Sequence, residues 1–357
     1  MTACNAEAPP KAPQTMTAAI LYGREDVRIE QRPVPSPGPG EALVAVEAAL
    51  TDGTDLKVYR RGYHARMIVP PAIFGHEFAG SIAAVGPGVE DWPVGTRVVA
   101  ANSAPCGDCY HCHRGQESLC DDLLFINGAY AQYVVIPERV VRRNLLTIPS
   151  GLSSSEAALT EPLACVVKGI RGMSPRPGDS IAIIGSGPIG LMAARVAVLA
   201  GCRVILIGRR QEQLEIGSEW GAEVTIGANL PEDLPGAIRE VTAGRGPELV
   251  FEATGSPAMW EMAPKAVCRG GRVNLFGGCP AGTTASFDTG LLHYGEITLQ
   301  STFHHTPADI RTALSLISKG DIKPRRLFDS VEPLQSLPNV LKEMDARRRT
   351  LKTVIKP

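Results

Sequence analysis

The stretch from Ser180 to Gly201, SIAIIGSGPIGLMAARVAVLAG, runs from an apolar strand through Gly185-x-Gly187-x-x-Gly190 into a helix. Few patterns restrict a fold so narrowly, because the glycines stand between the two elements that the pattern demands. Gly185 permits the tight turn, Gly187 lets the backbone approach a pyrophosphate, and Gly190 lets helix and strand pack closely. With Pro188 and Ile189 between them, they form a candidate phosphate-binding turn at a helix N-terminus. The runs SIAIIG, RVILIG, AEVTIG, ELVFEAT and GRVNLFG alternate with helical stretches after Gly178. That alternation predicts a doubly wound parallel sheet of Rossmann type, with helices on both faces.

The second of these strands leads into VILIGRR. A carboxylate there would hold the ribose 2′-hydroxyl of NAD. This chain has Gly208, Arg209 and Arg210 instead. No acid repels a 2′-phosphate, and two guanidiniums are placed to bind one. The expected cofactor is NADP, with NAD the alternative if both arginines are merely solvated.

The chain has 357 residues, about right for two domains. Its first third reads as short β segments (TAAILY, DVRIEQR, EALVAVEAAL, EFAGSIAAVG, TRVVA, AYAQYVVIP) between Gly and Pro turns, a β-rich, barrel-like unit. Ser153 and Glu156 have capping-box spacing and are expected to open a helix running on through AALTEPLACVVKGI. From about Thr306 helices return, and LKTVIKP reads as a last strand. The expected division is a tail over 1–15, a catalytic domain over 16–165 and 305–357, and a dinucleotide-binding domain over 166–304. Residues 1–15 are small, polar and Pro-rich, and Met16 is a second possible start. Net charge is −1 and no apolar run approaches the ~20 residues of a membrane span, so neither a nucleic acid nor a membrane is expected as partner. The expected compartment is the cytoplasm.

Four of the nine cysteines fall in one lobe as Cys106-x2-Cys109-x2-Cys112-x7-Cys120. Four thiolates at these spacings can close a tetrahedron around zinc, and a site filled by protein leaves no room for substrate, so this zinc would be structural. A zinc-ribbon binding module is the rival reading. Asp108, Glu117, Asp121 and Asp122 make the lobe acidic, which counts against nucleic acid. His111 and His113 are spare donors beside four sufficient sulfurs.

The ordered set GTDLK, GHEFAG, the cysteine lobe, EPLACV, GSGPIG, EATGS and HYGEITLQSTFHHTP resembles the zinc-containing medium-chain dehydrogenase/reductases of the alcohol, sorbitol and glucose dehydrogenase kind. The resemblance covers nearly the whole chain after about Thr17. It implies an α/β protein: a chaperonin-10-like, β-rich catalytic domain (GroES-like) interrupted by the Rossmann cofactor domain, with the active site in the cleft between them. It implies one catalytic zinc, held by the residues at Asp52, His76 and Glu161, with Glu77 an alternative or transient ligand. Asp52 stands where most relatives have Cys, as in some glucose dehydrogenases. Carboxylate and imidazole are competent zinc ligands, but a harder site should bind zinc more weakly and discriminate less against other divalent ions.

In family register Thr54 matches the hydroxyl that relays the alcohol proton, and Lys57 stands where many relatives finish the relay with His. Thr254 and Phe276 would flank the nicotinamide ribose. Tyr59, Tyr63, His64 and Arg66 are unranked pocket candidates, and His304 and His305 either line the pocket or pack at a subunit interface. The implied activity is hydride transfer between the nicotinamide cofactor and a small alcohol or ketone, a polyol, sugar or cyclitol, in a homodimer or homotetramer. The alternatives are a metal-independent reductase of the same superfamily, or an inactive relic that keeps only the structural zinc.

Overall fold

The structure, a computed structural model, describes residues 13–64, 67–227 and 233–357. These fall into two compact units, one within Met1–Glu161 and Phe328–Pro357, the other Pro162–Leu327. Residues 305–327, grouped above with the β-rich part, cluster with the second unit. Arg171 pairs with Asp309 at 3.0 Å and Arg195 donates to Asp321 O at 2.8 Å, both within that unit. Of the expected tail, residues 1–12 lie outside the described residues, while Thr15 begins the first strand.

The first unit is built on a seven-stranded sheet. Its order is Leu145–Thr147, Arg97–Ala100, Glu77–Val85, Ala42–Leu50, Lys352–Lys356 and Phe328–Pro333, with Tyr133–Ile136 also paired to Ala42–Leu50. The two central strands run antiparallel, with Ala49 opposite Phe78 and Leu50 opposite Glu77. On the other side Leu50 meets Val354. This register does more for the site than any single contact. It brings Asp52, two residues past Leu50, beside His76, one residue before Glu77, and it leads Lys352 to the same end. Phe74, Phe78, Ile82 and Tyr130 are among the buried side chains of this unit's core.

The Phe328–Pro333 strand was not anticipated. Its exposure alternates along FDSVEP, which carries two acids and ends on proline, the composition of a sheet edge. The expected single helix after Ser153 is two. Ser153 and Glu156 do form a capping box, but on a one-turn helix, Ser154–Ala157, and a second helix runs Thr160–Gly172. Pro162 explains the break: it has no N–H for the carbonyl of Ala158, and it suits the first turn of a new helix.

The second unit is a six-stranded parallel sheet in the order Val224–Ile226, Arg203–Ile207, Ser180–Ile184, Leu249–Glu252, Arg272–Leu275, Thr298–Gln300. The strand order reverses at Ser180–Ile184, the switch point where ligands of such sheets bind. Every residue of that strand is buried. The Thr298–Gln300 strand was not expected from its three partly polar residues. Among the described residues no helix is long and apolar enough to cross a membrane.

Candidate active site and metal centres

Asp52 is the N-cap of the Gly53–Arg61 helix, and its carboxylate is divided between two tasks. Oδ1 accepts from Asp55 N at 2.8 Å, while the Asp55 side chain accepts from Asp52 N at 3.0 Å, a reciprocal capping box. Oδ2 faces His76, 3.8 Å from Nε2. A thiolate could not divide itself this way. The other ring nitrogen, Nδ1, lies 3.7 Å from Asp55 Oδ1, and the Tyr130 hydroxyl is 2.5 Å from Asp55 Oδ2. Asp55, held by the Tyr130 hydroxyl, thus stands as a carboxylate behind the imidazole, where the outer partner of a metal-ligating histidine usually lies. Sequence reasoning passed over Asp55, although the Asp-x-x-Asp spacing was its signal.

Glu77 is buried, and both of its oxygens receive Lys352 Nζ, at 2.7 and 2.6 Å. Lys352 is itself buried and also donates to Thr51 O at 3.2 Å. It too was missed; one lysine in a terminal strand gives little signal. Glu161 is buried in the same unit.

Four carboxylates therefore gather around one imidazole and one ammonium. Burial pushes Glu161 up to about 7, with Asp52 and Asp55 adding to the rise against His76 and Lys352. Burial also raises Glu77 and Asp55, against Lys352 and His76 respectively. His76 goes the other way from what burial favours: Asp52 and Asp55 hold it well above its ordinary value. Burial would raise Asp52, but His76, Lys352 and the N–H groups of Asp55 and Thr54 bring it down to about 2. This excess of buried negative charge is what a bound divalent cation relieves. Ligand atoms of Asp52, His76 and Glu77 lie within 4.8 Å of one another, so the donors fit a metal.

Thr54 is half-buried in the first turn of the same helix, and Lys57, one turn later, is exposed. Tyr59 is no pocket residue: it is buried in the core of the unit. Tyr63 is exposed and His64 half-buried, and Arg66 lies outside the described residues.

The cysteine lobe hangs from a two-stranded neck, Ser103–Ala104 paired with Leu124–Phe125. Its four sulfurs lie within 4.8 Å of one another, with Cys106 Sγ 3.4 Å from Cys120 Sγ and 3.9 Å from Cys112 Sγ. A tetrahedron with Zn–S of about 2.3 Å has edges of about 3.8 Å, so the sulfurs already fit zinc. Asp108 N and Cys109 N donate to Cys106 Sγ and bring its thiol down to about 6, whereas burial pushes Cys120 up to about 12. His111 lies against Gln116 and Asp121, and His113 against Asp108.

In the second unit Gly187 caps the Pro188–Leu199 helix and has open space around it. Gly190 admits no side chain, since a Cβ would sit 1.7 Å from Gly185 O. Gly208 is equally constrained, because its Cβ would meet Ser186 Oγ at 2.0 Å. The carboxylate missing from this position could not be accommodated there. Arg209 and Arg210 follow, both exposed, at the start of the Gln211–Glu219 helix. Thr254 N and Oγ1 donate to the buried Glu252, and Phe276 packs on Phe251 at 4.8 Å. His305 is buried and stacks on His304 with ring centres 3.9 Å apart.

Comparison with known proteins agrees with this architecture. Residues 38–149 match the alcohol dehydrogenase GroES-like domain, and residues 188–319 the zinc-binding dehydrogenase domain. A sorbitol dehydrogenase of Bacillus subtilis is 35% identical over 272 residues, 74% of this chain and 76% of the relative. An L-threonine 3-dehydrogenase of Pyrococcus horikoshii is 34% identical over 273 residues, 75% of this chain and 76% of the relative. Among solved structures, a candidate zinc-binding dehydrogenase of Sinorhizobium meliloti 1021 bound to NADP superimposes with TM-score 0.87 at 27% identity, over 97% of this chain and 100% of that one. An alcohol dehydrogenase of E. coli CFT073 complexed with NADH gives TM-score 0.87 at 26% identity, with the same coverage.

Proposed function

The chain belongs to the zinc-containing medium-chain dehydrogenase/reductases, and we propose that this NAD(P)-dependent, alcohol-type dehydrogenase oxidises a polyol, sugar or cyclitol with NADP. The observation that carries the metal-dependent part is the cluster of Asp52, His76 and buried glutamates, which has more carboxylates than cations. Asp52 and His76 are two of the metal's ligands in this reading, and Glu161 is the third. Glu77 is nearer by the distance criterion above, but Lys352 occupies both of its oxygens, so its part is to balance charge. When bound, the metal supplies Lewis acidity to the substrate oxygen and the nicotinamide accepts hydride, so that a secondary alcohol and NADP⁺ give a ketone, NADPH and a proton. The chain's own residues manage that proton. The Thr54 hydroxyl takes it while passing its own proton on to water, and Lys57, on the same face of the helix and exposed, borders that exit to solvent. Asp55, held by Tyr130, stands behind the His76 ring throughout. The four lobe cysteines hold a second, structural zinc.

The polyol reading is supported by the sorbitol dehydrogenase relative and by the carboxylate in place of the usual cysteine. Its test is a panel of sorbitol, glucose, inositol and L-threonine offered to the zinc-loaded protein with NADP or NAD. Turnover of a polyol, sugar or cyclitol is expected. Turnover of L-threonine alone would overturn the substrate but keep the dehydrogenase, and no turnover of any alcohol would overturn both.

The preference for NADP is supported by the absence of a carboxylate at Gly208 and by the exposed guanidiniums of Arg209 and Arg210. A charge-assisted hydrogen bond to a 2′-phosphate is worth ~1.5–3 kcal/mol, about tenfold or more in affinity. Arg209→Ala is therefore expected to raise KM for NADP at least about tenfold and KM for NAD less than about twofold. Equal rises for both cofactors would remove the phosphate-binding role.

A further inference from the structure

Beside the cysteine lobe runs a short helix, Glu138–Asn144, that carries four polar side chains directed at neighbouring backbone or acids. Two of its arginines, one helical turn apart, reach the two ends of the lobe. Arg143 Nη2 donates to Cys106 O at 3.0 Å, at the first cysteine. Arg139 donates to Asp122 O and to Asp122 Oδ2, both at 2.7 Å, two residues past the last cysteine. Asn144 Nδ2 donates to Ser103 O at 2.6 Å, in the neck. Gly107 sits against the Arg143 guanidinium so closely that a Cβ would lie 2.0 Å from Nη2, and its φ of +86° is one that L side chains rarely adopt. The glycine is what lets the cation reach the lobe backbone.

A cavity of about 450 Å³ lies here, lined by Cys106, Glu138, Arg139, Arg142 and Arg143. Three arginines around a cavity suggest an anion site, but the charges oppose it. Arg139 is paired with Asp122 and Arg142 with Glu138. A zinc ion with four thiolates carries a net charge of −2, and Asp108, Glu117 and Asp121 lie on the same lobe. A free anion would be repelled, whereas the lobe itself needs cations.

We infer that Arg143 and Arg139 form a clamp that holds the four-thiolate lobe closed around its metal, Arg143 also serving as the counter-charge beside Cys106. Both are positioning residues that act on the ligand loop through its backbone. The inference rests on the reading that the lobe holds zinc. Partners of this outer kind typically contribute 10–100-fold in metal affinity.

The test follows alkylation of Cys106, Cys109, Cys112 and Cys120 by iodoacetamide in zinc-loaded, full-length protein under chelator, with peptide mass mapping. Arg143→Ala is expected to speed alkylation of all four by about ten- to a hundredfold. Arg139→Ala should speed it as well, and serves if Arg143→Ala does not fold. Arg143→Lys, which keeps charge without the fork, should fall between wild type and Arg143→Ala, a rescue that a merely packed side chain would not give. Arg142→Ala, on the same helix without a lobe contact, should match wild type. Wild-type rates in both Arg143→Ala and Arg139→Ala would overturn the clamp. If zinc does not protect the wild-type cysteines at all, it is the structural-zinc reading that fails.

Discussion

Asp52→Asn is expected to fold at a cost of about 2 kcal/mol, because the neutral amide gives up the charge interactions with His76 and Lys352, and to lose at least about a thousandfold in turnover, about 4 kcal/mol of transition-state stabilisation. The substitution separates the two oxygens. Asn is as good an N-cap as Asp, so the bond from Asp55 N survives, but the neutral amide no longer offers His76 and the metal a negative ligand. Asp52→Ala removes both tasks and should cost about 1 kcal/mol more than Asp52→Asn, read by chemical denaturation, with the same loss of activity. Full turnover in Asp52→Asn would show that the carboxylate is there for the helix alone. The relic and metal-independent readings would then gain the ground.

The second large effect concerns stability. Lys352→Met is expected to destabilise the first unit by about 3–5 kcal/mol, because it leaves the Glu77 carboxylate buried without its ammonium, beside Asp52 and Glu161. Adding Glu77→Gln should recover most of that loss, since the remaining buried group is then neutral. The pair is thus held by mutual dependence more than by a net contribution. Denaturant midpoints of the single and double variants measure it. A cost below about 1 kcal/mol for Lys352→Met would mean that Glu77 sheds its charge when the lysine is gone.

The parallel sheet was readable because its strands are buried on both faces and so appear as unbroken apolar runs such as SIAII and RVILI. The edge strands Thr298–Gln300 and Phe328–Pro333 were not, since an edge strand carries polar residues that read as loop. The cysteine lobe was readable from spacing alone. The carboxylate–imidazole cluster was legible only through family register, and for a definite reason. What joins Asp52 to His76 is the pairing of Leu50 with Glu77 across two strands, and pairing register leaves no mark in local sequence. Lys352 lies some three hundred residues from Thr51 along the chain and could be found only once the Leu50–Val354 pairing was known. Asp55 could have been found, because the capping spacing was visible. Gly208 gains its meaning from Ser186 Oγ, a contact between two loops that no periodicity encodes.

Whether the acid at position 52 holds a metal is best settled by counting zinc ions per chain, by mass spectrometry of the intact zinc-loaded protein, in wild type and in Asp52→Asn. The expected result is two in the wild type, one of them readily chelated, and one in the variant, that of the cysteine lobe. The same count in both proteins, whether one or two, would contradict the proposed ligand role of Asp52.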